Sequence, residues 1–135
     1  MKKDTYVFPA IIGKEQNEKE YSVYFPDLDV ATSGVDEIDA YSSAKELLGL
    51  TLYDMELDKK KIPKASNIEK IKLNKNERTT LVDVYMPSIR MAENNKSVNR
   101  TVTLPAWLNS LALSKHFNFS LTLQEALKEK LGIVN

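Results

Sequence analysis

The sequence predicts an α+β protein in two parts, a β-β-β-α-β body and a short β-α-α tail. Two patterns carry the body. Alternating apolar and polar residues mark strands, and an apolar stripe at helical spacing runs through residues 38–55. The tail is announced by a change of style after residue 95, where acidic side chains become rare and a hydroxyl-rich segment leads into leucine-bearing helices.

Residues 5–12 are a β-branched and aromatic run, and Pro9 within it suggests an edge position or a bulge. The polar stretch from Gly13 to Glu20 reads as a hairpin loop. Tyr21, Val23 and Phe25 alternate with Ser22 and Tyr24 as in a half-buried strand, which Pro26-Asp27 ends. Val30 to Ser33 makes a third short strand before Gly34. Asp36 is placed as a helix N-cap, with Asp39 in the positive first turn. Ile38, Tyr41, Ala44, Leu48, Leu52 and Met55 form the stripe, and Gly49 inside it, costing about 1 kcal/mol against alanine, implies close packing on the sheet. Lys59-Lys60-Lys61 before Pro63 suits a solvated helix end, with a binding patch as the alternative. Residues 64–78 read as loop, and Leu81 to Tyr85 as the last strand of the body. The body therefore occupies residues 1–85, and Met86 to Asn95, with Pro87 and no apolar period, reads as a linker.

Residues 96–135 are expected to form a second domain. Ser97 to Leu104 alternates, Pro105 opens a helix whose buried face is Trp107, Leu108, Leu111 and Ala112, and the chain turns at His116 to Phe119. Ser120 is expected to cap a second helix carrying Leu123, Ala126, Leu127 and Leu131, stopped by Gly132. Some forty residues with one unpaired strand cannot bury a core alone. An identical strand from a second copy is the cheapest completion, giving a two-stranded ribbon over four helices. Val98, Val102 and Leu104, interrupted by Arg100, then face the dimer core. Ser97, Asn99, Thr101 and Thr103 form an exposed polar row. Such a ribbon fits the major groove of DNA, where short amide and hydroxyl side chains reach base edges. The start of the second helix at Ser120, with the N–H groups of Leu121 and Thr122, is placed to hold a phosphate.

Composition narrows the chemistry. Nineteen basic and nineteen acidic residues balance, yet residues 1–95 hold 14 Lys/Arg and 17 Asp/Glu while residues 96–135 hold 5 and 2. The absence of cysteine and the single histidine, His116, argue against thiolate zinc, a nickel sensor and a Ser-His-Asp relay, so no catalytic residue, metal or cofactor is expected. His116 is read as a favourable charge at a helix C-terminus or a turn residue. The basic start runs into Asp4 and Thr5 without the apolar core of a signal peptide, and a cytoplasmic protein with no membrane contact is expected. A pair formed by Asp4 and Asp83 is conceivable for a metal-dependent nuclease, but Asp83 between Val82 and Val84 is better read as an outward strand residue.

VNRTVTLPAWL, then NFS, then LQEALKEKLG, resembles the ribbon-helix-helix DNA-binding family over residues 96–132. That resemblance assigns base contacts to Asn99, Thr101 and Thr103, with Ser97 at the margin; Arg100 stands where many members carry a strand hydrophobe and is expected at the ribbon's end, reaching a phosphate. Phe25-Pro26-Asp27-Leu28, Gly34, Ala44-Lys45-Glu46-Leu47-Leu48, Ile62-Pro63 and Leu81-Val82-Asp83-Val84 resemble the N-terminal domain of HicB-type antitoxins. Asp29-Val30-Ala31 stands where many members carry a Pro-Gly-Cys stretch. The resemblance implies a partial RNase H-like fold without catalysis, neutralisation by occlusion of a HicA-like toxin ribonuclease that cleaves mRNA, and autorepression through operator DNA as a homodimer or higher oligomer. On that reading the acidic body covers a basic toxin, and Tyr24, Asp27 and Asp29 are the candidate toxin contacts. A stand-alone repressor with a small-molecule-sensing body is the alternative.

Overall fold

Antiparallel pairing builds the body around Thr5–Gly13 (β1). Tyr21–Phe25 (β2) lies on one side of it and Glu77–Tyr85 (β4) on the other. Val30–Gly34 (β3) lies beyond β2, giving the order β3-β2-β1-β4. The structure is a computed structural model that describes residues 2–133. Its helices are Glu37–Leu57 (α1), Met86–Asn94 (α2), Ala106–Ser114 (α3) and Phe119–Leu131 (α4), and the chain divides into two units after Lys96. The mixed α+β architecture and the β-β-β-α-β order expected of the body are both present.

β1 is a central strand, yet Pro9 holds an edge position within it. The register explains why proline is accommodated. β2 pairs with Ile11 to Gly13 only, which leaves residues 5–9 with a ladder to β4 alone and a free side for a residue lacking an N–H. β4 pairs with β1 from Glu77 to Tyr85 and starts four residues before the expected Leu81. The polar stretch Glu77 to Thr80 is held by its backbone ladder rather than by an apolar pattern.

The core lies between one sheet face and α1. Phe8, Ala10, Val23, Phe25, Val82 and Val84 supply the sheet side; Ala40, Ala44, Leu48 and Leu52 supply the helix side. The buried stripe thus begins at Ala40, and Ile38, expected within it, is exposed. The cause is the approach of β3: a Cβ on Gly34 would stand 2.2 Å from the Ala40 backbone nitrogen, so this sheet edge meets the first turn of α1 at Ala40. Asp36 caps α1 by accepting from the Asp39 N–H at 2.8 Å, and the Asp39 carboxylate accepts from the Val35 N–H at 2.9 Å. Gly49 packs as expected, with Ile89 of α2 and Val84 of β4 both within contact of its missing Cβ.

Met86 to Asn95 is not a linker. Pro87 sits in the first turn of α2, where a missing N–H costs nothing, instead of ending the ordered body. Met86 is fully buried and donates its N–H to the Asp4 carbonyl at 2.6 Å. Met86, Ile89 and Arg90 form a three-to-four spacing too short to stand out against nine residues of mixed character.

Candidate functional site

In the second unit, residues 97–104 pair with no strand of this chain. The expected strand therefore has no ladder within one copy. Ser97, Asn99, Arg100, Thr101 and Thr103 are all exposed. Val98 is 86% exposed, and Val102, Leu104 and Trp107 are also open to solvent. The faces of α3 and α4 expected to be buried are not: among the described residues neither helix has a buried side chain. The physical reason is the one that predicted a partner, since two short helices and one extended segment cannot enclose a core. Arg100, Val102, Leu104, Leu108, Phe119 and Leu123 line an apolar cleft of about 460 Å³ open to solvent. Arg100 thus shares the apolar side with Val102 and Leu104, as the alternation requires.

Ser120 is not the cap of α4. Asn118 is, its side chain accepting from the Leu121 N–H at 3.0 Å while its carbonyl accepts from the Thr122 N–H at 2.9 Å. Both amides assigned to a phosphate are therefore committed to the helix itself, and Ser120 contributes only a hydroxyl on the exposed first turn. His116 takes a left-handed conformation (φ 57°) directly after α3, the turn role expected of it. The His116 N–H bonds to the Leu113 carbonyl and the Phe117 N–H to that of Ala112. The same paired closure recurs after α1 at Lys59 and after α4 at Gly132.

In the body, Tyr24, Asp27 and Asp29 lie on and after the end of β2, and the structure divides their roles. Tyr24 donates its hydroxyl to Asp29 Oδ1 at 2.9 Å, and this hydrogen bond to a carboxylate holds the phenol's pKa above its ordinary value. Asp29 has φ 54°, so its backbone is bent into the left-handed region. Asp27 faces another way, accepting from the Ser66 N–H at 3.0 Å and from the Ser66 hydroxyl, which pins the loop that follows α1. Asp27 is thereby engaged within the body, while Tyr24 and Asp29 form an exposed aromatic and acidic pair.

Asp4 and Asp83 do not converge. Asp83 stands opposite Val7 in the ladder and pairs with Lys45 at 3.3 Å, whereas Asp4 precedes β1 beside Arg90 at 3.8 Å. No group of three or more His, Asp or Glu side chains able to hold a metal occurs among the described residues. Two features escaped sequence reasoning. Arg90 of α2 forks onto Glu56 of α1 with no local sequence signal, and the run Lys59-Lys60-Lys61 is joined around one cleft of the body by Lys2 and Lys3, which no local pattern connects to it.

The body is an open antiparallel sheet with helices on one face, and the unit that follows it leaves its apolar side chains uncovered within one copy of the chain. Residues 8–124 match the family model described as HicB-like antitoxin of bacterial toxin-antitoxin systems, and the chain belongs to that family. A chain of a toxin-antitoxin complex from Streptococcus pneumoniae is similar in structure at TM-score 0.59 and 23% identity, covering 93% of this chain and 99% of that one. The Burkholderia pseudomallei antitoxin HicB is similar at TM-score 0.54 and 20% identity, covering 93% and 98% respectively. Both likenesses concern the fold. No curated protein matches the chain in sequence. None of the described helices is long and apolar enough to cross a membrane.

Proposed function

We propose that the chain is a non-enzymatic antitoxin that works with two surfaces. The body neutralises a HicA-like mRNA-cleaving toxin by covering its basic RNA-binding surface, and the second unit dimerises into a ribbon-helix-helix that binds operator DNA and represses the operon. Family membership supports the antitoxin role. The observation that carries the DNA-binding half is the uncovered apolar side of residues 97–131, joined to a segment without a ladder partner. A second copy satisfies both deficits at once, because ribbon pairing fills the backbone hydrogen bonds and brings two apolar faces together. The polar row Ser97, Asn99, Thr101 and Thr103 then lies on the ribbon's outer side, with Arg100 and the Ser120 hydroxyl toward its flanks. The body's net charge of −3 over residues 1–95 suits a partner that is positive where it holds RNA.

The test has two arms. The full chain, co-expressed with the small basic protein of the neighbouring reading frame, should co-purify with it and suppress its RNA cleavage. The same chain should retard a DNA fragment carrying its own promoter. A folded chain that does neither overturns the reading.

A further inference from the structure

We propose that the body carries a binding cleft for the phosphate backbone of single-stranded RNA, formed by the N-terminal lysines together with those that follow α1. Lys2, Lys3, Lys59, Lys60, Lys61 and Lys64 line one cleft of about 770 Å³. Six of the 14 cations of residues 1–95 thus gather in one place, against a single lining carboxylate out of 17. That carboxylate, Glu56, is already neutralised by Arg90, whose Nε and Nη2 reach its two oxygens at 2.9 and 2.6 Å. The attraction between a helix C-terminus and cations accounts for Lys59 to Lys61. It does not account for Lys2 and Lys3, which arrive from the far end of the sequence, nor for Lys64 beyond Pro63. Uncompensated like charges around a concave surface raise the local concentration of anions.

The lining favours phosphates over carboxylates. Lysine ammonium groups act as mobile point charges suited to phosphates, and the one arginine at this end of the body is committed to Glu56. Between them lies an apolar and aromatic floor of Tyr6, Val7, Ile62 and Pro63, with Lys3 over the Tyr6 ring at 5.2 Å. A positive groove with an aromatic surface is the arrangement by which single strands are held without sequence preference. This inference is independent of toxin and operator binding, and its face is opposite in sign to the Tyr24–Asp29 surface.

The experiment uses the full chain and a fluorescent oligouridylate of about 12 nucleotides, read by anisotropy across a salt series. The wild type should bind, and Lys60→Gln/Lys61→Gln/Lys64→Gln should weaken binding about tenfold or more and lower the salt slope by about 2. The control Asn99→Ala/Thr101→Ala should bind the RNA as the wild type does. Amide shifts on titration should concentrate at residues 2–8 and 59–65, which also serves the single variants Lys60→Gln and Lys64→Gln should the triple variant not fold. Absent wild-type binding, an unchanged triple variant, or loss of binding in the control variant overturns the proposal. Equal displacement of the RNA by polyglutamate overturns the choice of occupant.

Discussion

Arg90 and Glu56 form a forked ion pair that ties α2 to the last turn of α1. The pair is 2.6 Å at its shortest, and Arg90 Nη2 also donates to the Lys3 carbonyl at 2.6 Å, so one guanidinium joins three segments of the body. The Glu56 side chain is only 6% exposed. Removing its partner leaves a desolvated carboxylate, and Arg90→Ala should cost about 3 kcal/mol, measured by urea unfolding. The hydrogen bond from Arg90 holds the Glu56 carboxyl below the usual glutamate range. A depressed folded pKa means that the pair's contribution is complete at neutral pH and fades as pH falls below about 4.3 toward the folded value. Glu56→Gln should therefore flatten the acid limb of the stability profile. An unchanged acid limb in that variant contradicts the assignment.

Two glycines predict different responses to the same substitution. At Gly34 an added methyl meets backbone, the Ala40 nitrogen at 2.2 Å and its Cα at 2.5 Å, so the sheet edge must move off α1. Gly34→Ala should destabilise by about 3 kcal/mol. At Gly49 the nearest atom is Ile89 Cδ1 at 3.0 Å, the end of a side chain that can rotate away. There the helix gains about 1 kcal/mol in propensity, which offsets the repacking and leaves Gly49→Ala near neutral. Thermal melts of the two variants check the contrast.

Local patterns carried the strands and α1 into legibility because their signals are dense: alternation at Tyr21–Phe25, a cap at Asp36, a stripe ending in lysines. What stayed illegible depends on contacts distant in sequence. α2 hides behind Pro87, whose breaker signal is identical at a helix start and at a strand end. The start of β4 at Glu77 is set by pairing with Gly13, not by side-chain type. At the site, the alternation from Ser97 to Thr103 is legible as pattern, yet its apolar members Val98 and Val102 are as exposed in one copy as the polar residues between them; the division between Asp27 and the Tyr24–Asp29 pair required knowing where Ser66 lies. The apolar faces of α3 and α4 were legible as pattern, but a pattern does not say which copy of the chain covers it.

That uncovered side gives a dimer prediction. Each leucine transferred from water into an interface contributes about 1.5–3 kcal/mol, so Leu108→Asp or Leu123→Asp should turn a dimer into a monomer. Sedimentation equilibrium reads the change directly. A wild-type chain that is monomeric at micromolar concentration removes the support for the ribbon.

The Tyr24–Asp29 pair sets the toxin prediction. Tyr24 is 37% exposed and its hydroxyl is spent on Asp29, so the pair presents an aromatic edge beside a carboxylate. Asp29→Asn removes the charge and lowers the Tyr24 pKa toward its ordinary value, visible as an earlier ultraviolet titration of one tyrosine. The same variant should dissociate faster from the co-purifying basic protein at low salt, with the difference shrinking as salt rises. Asp27→Asn is the internal control, because its carboxylate is engaged by Ser66 and its loss should loosen the loop after α1. If Asp27→Asn weakens the complex while Asp29→Asn leaves it intact, the contact lies elsewhere on the body.

Operator recognition is tested by the row itself. Asn99 and Thr101 are two residues apart, so a ribbon places both on one side at a strand's spacing, within reach of adjacent base pairs. Each alanine substitution should cost about 1–3 kcal/mol against the operator while leaving binding to unrelated DNA unchanged, since base-edge contacts discriminate and phosphate contacts do not. Arg100→Ala should do the reverse, weakening binding to all sequences alike and lowering the salt slope by about 1. The second unit holds only 5 cations against 2 carboxylates, so the slope for the wild type should itself be shallow. Gel shifts across a salt series separate the two behaviours. Equal losses on operator and unrelated DNA for Asn99→Ala and Thr101→Ala would place the recognition face on another side of the unit.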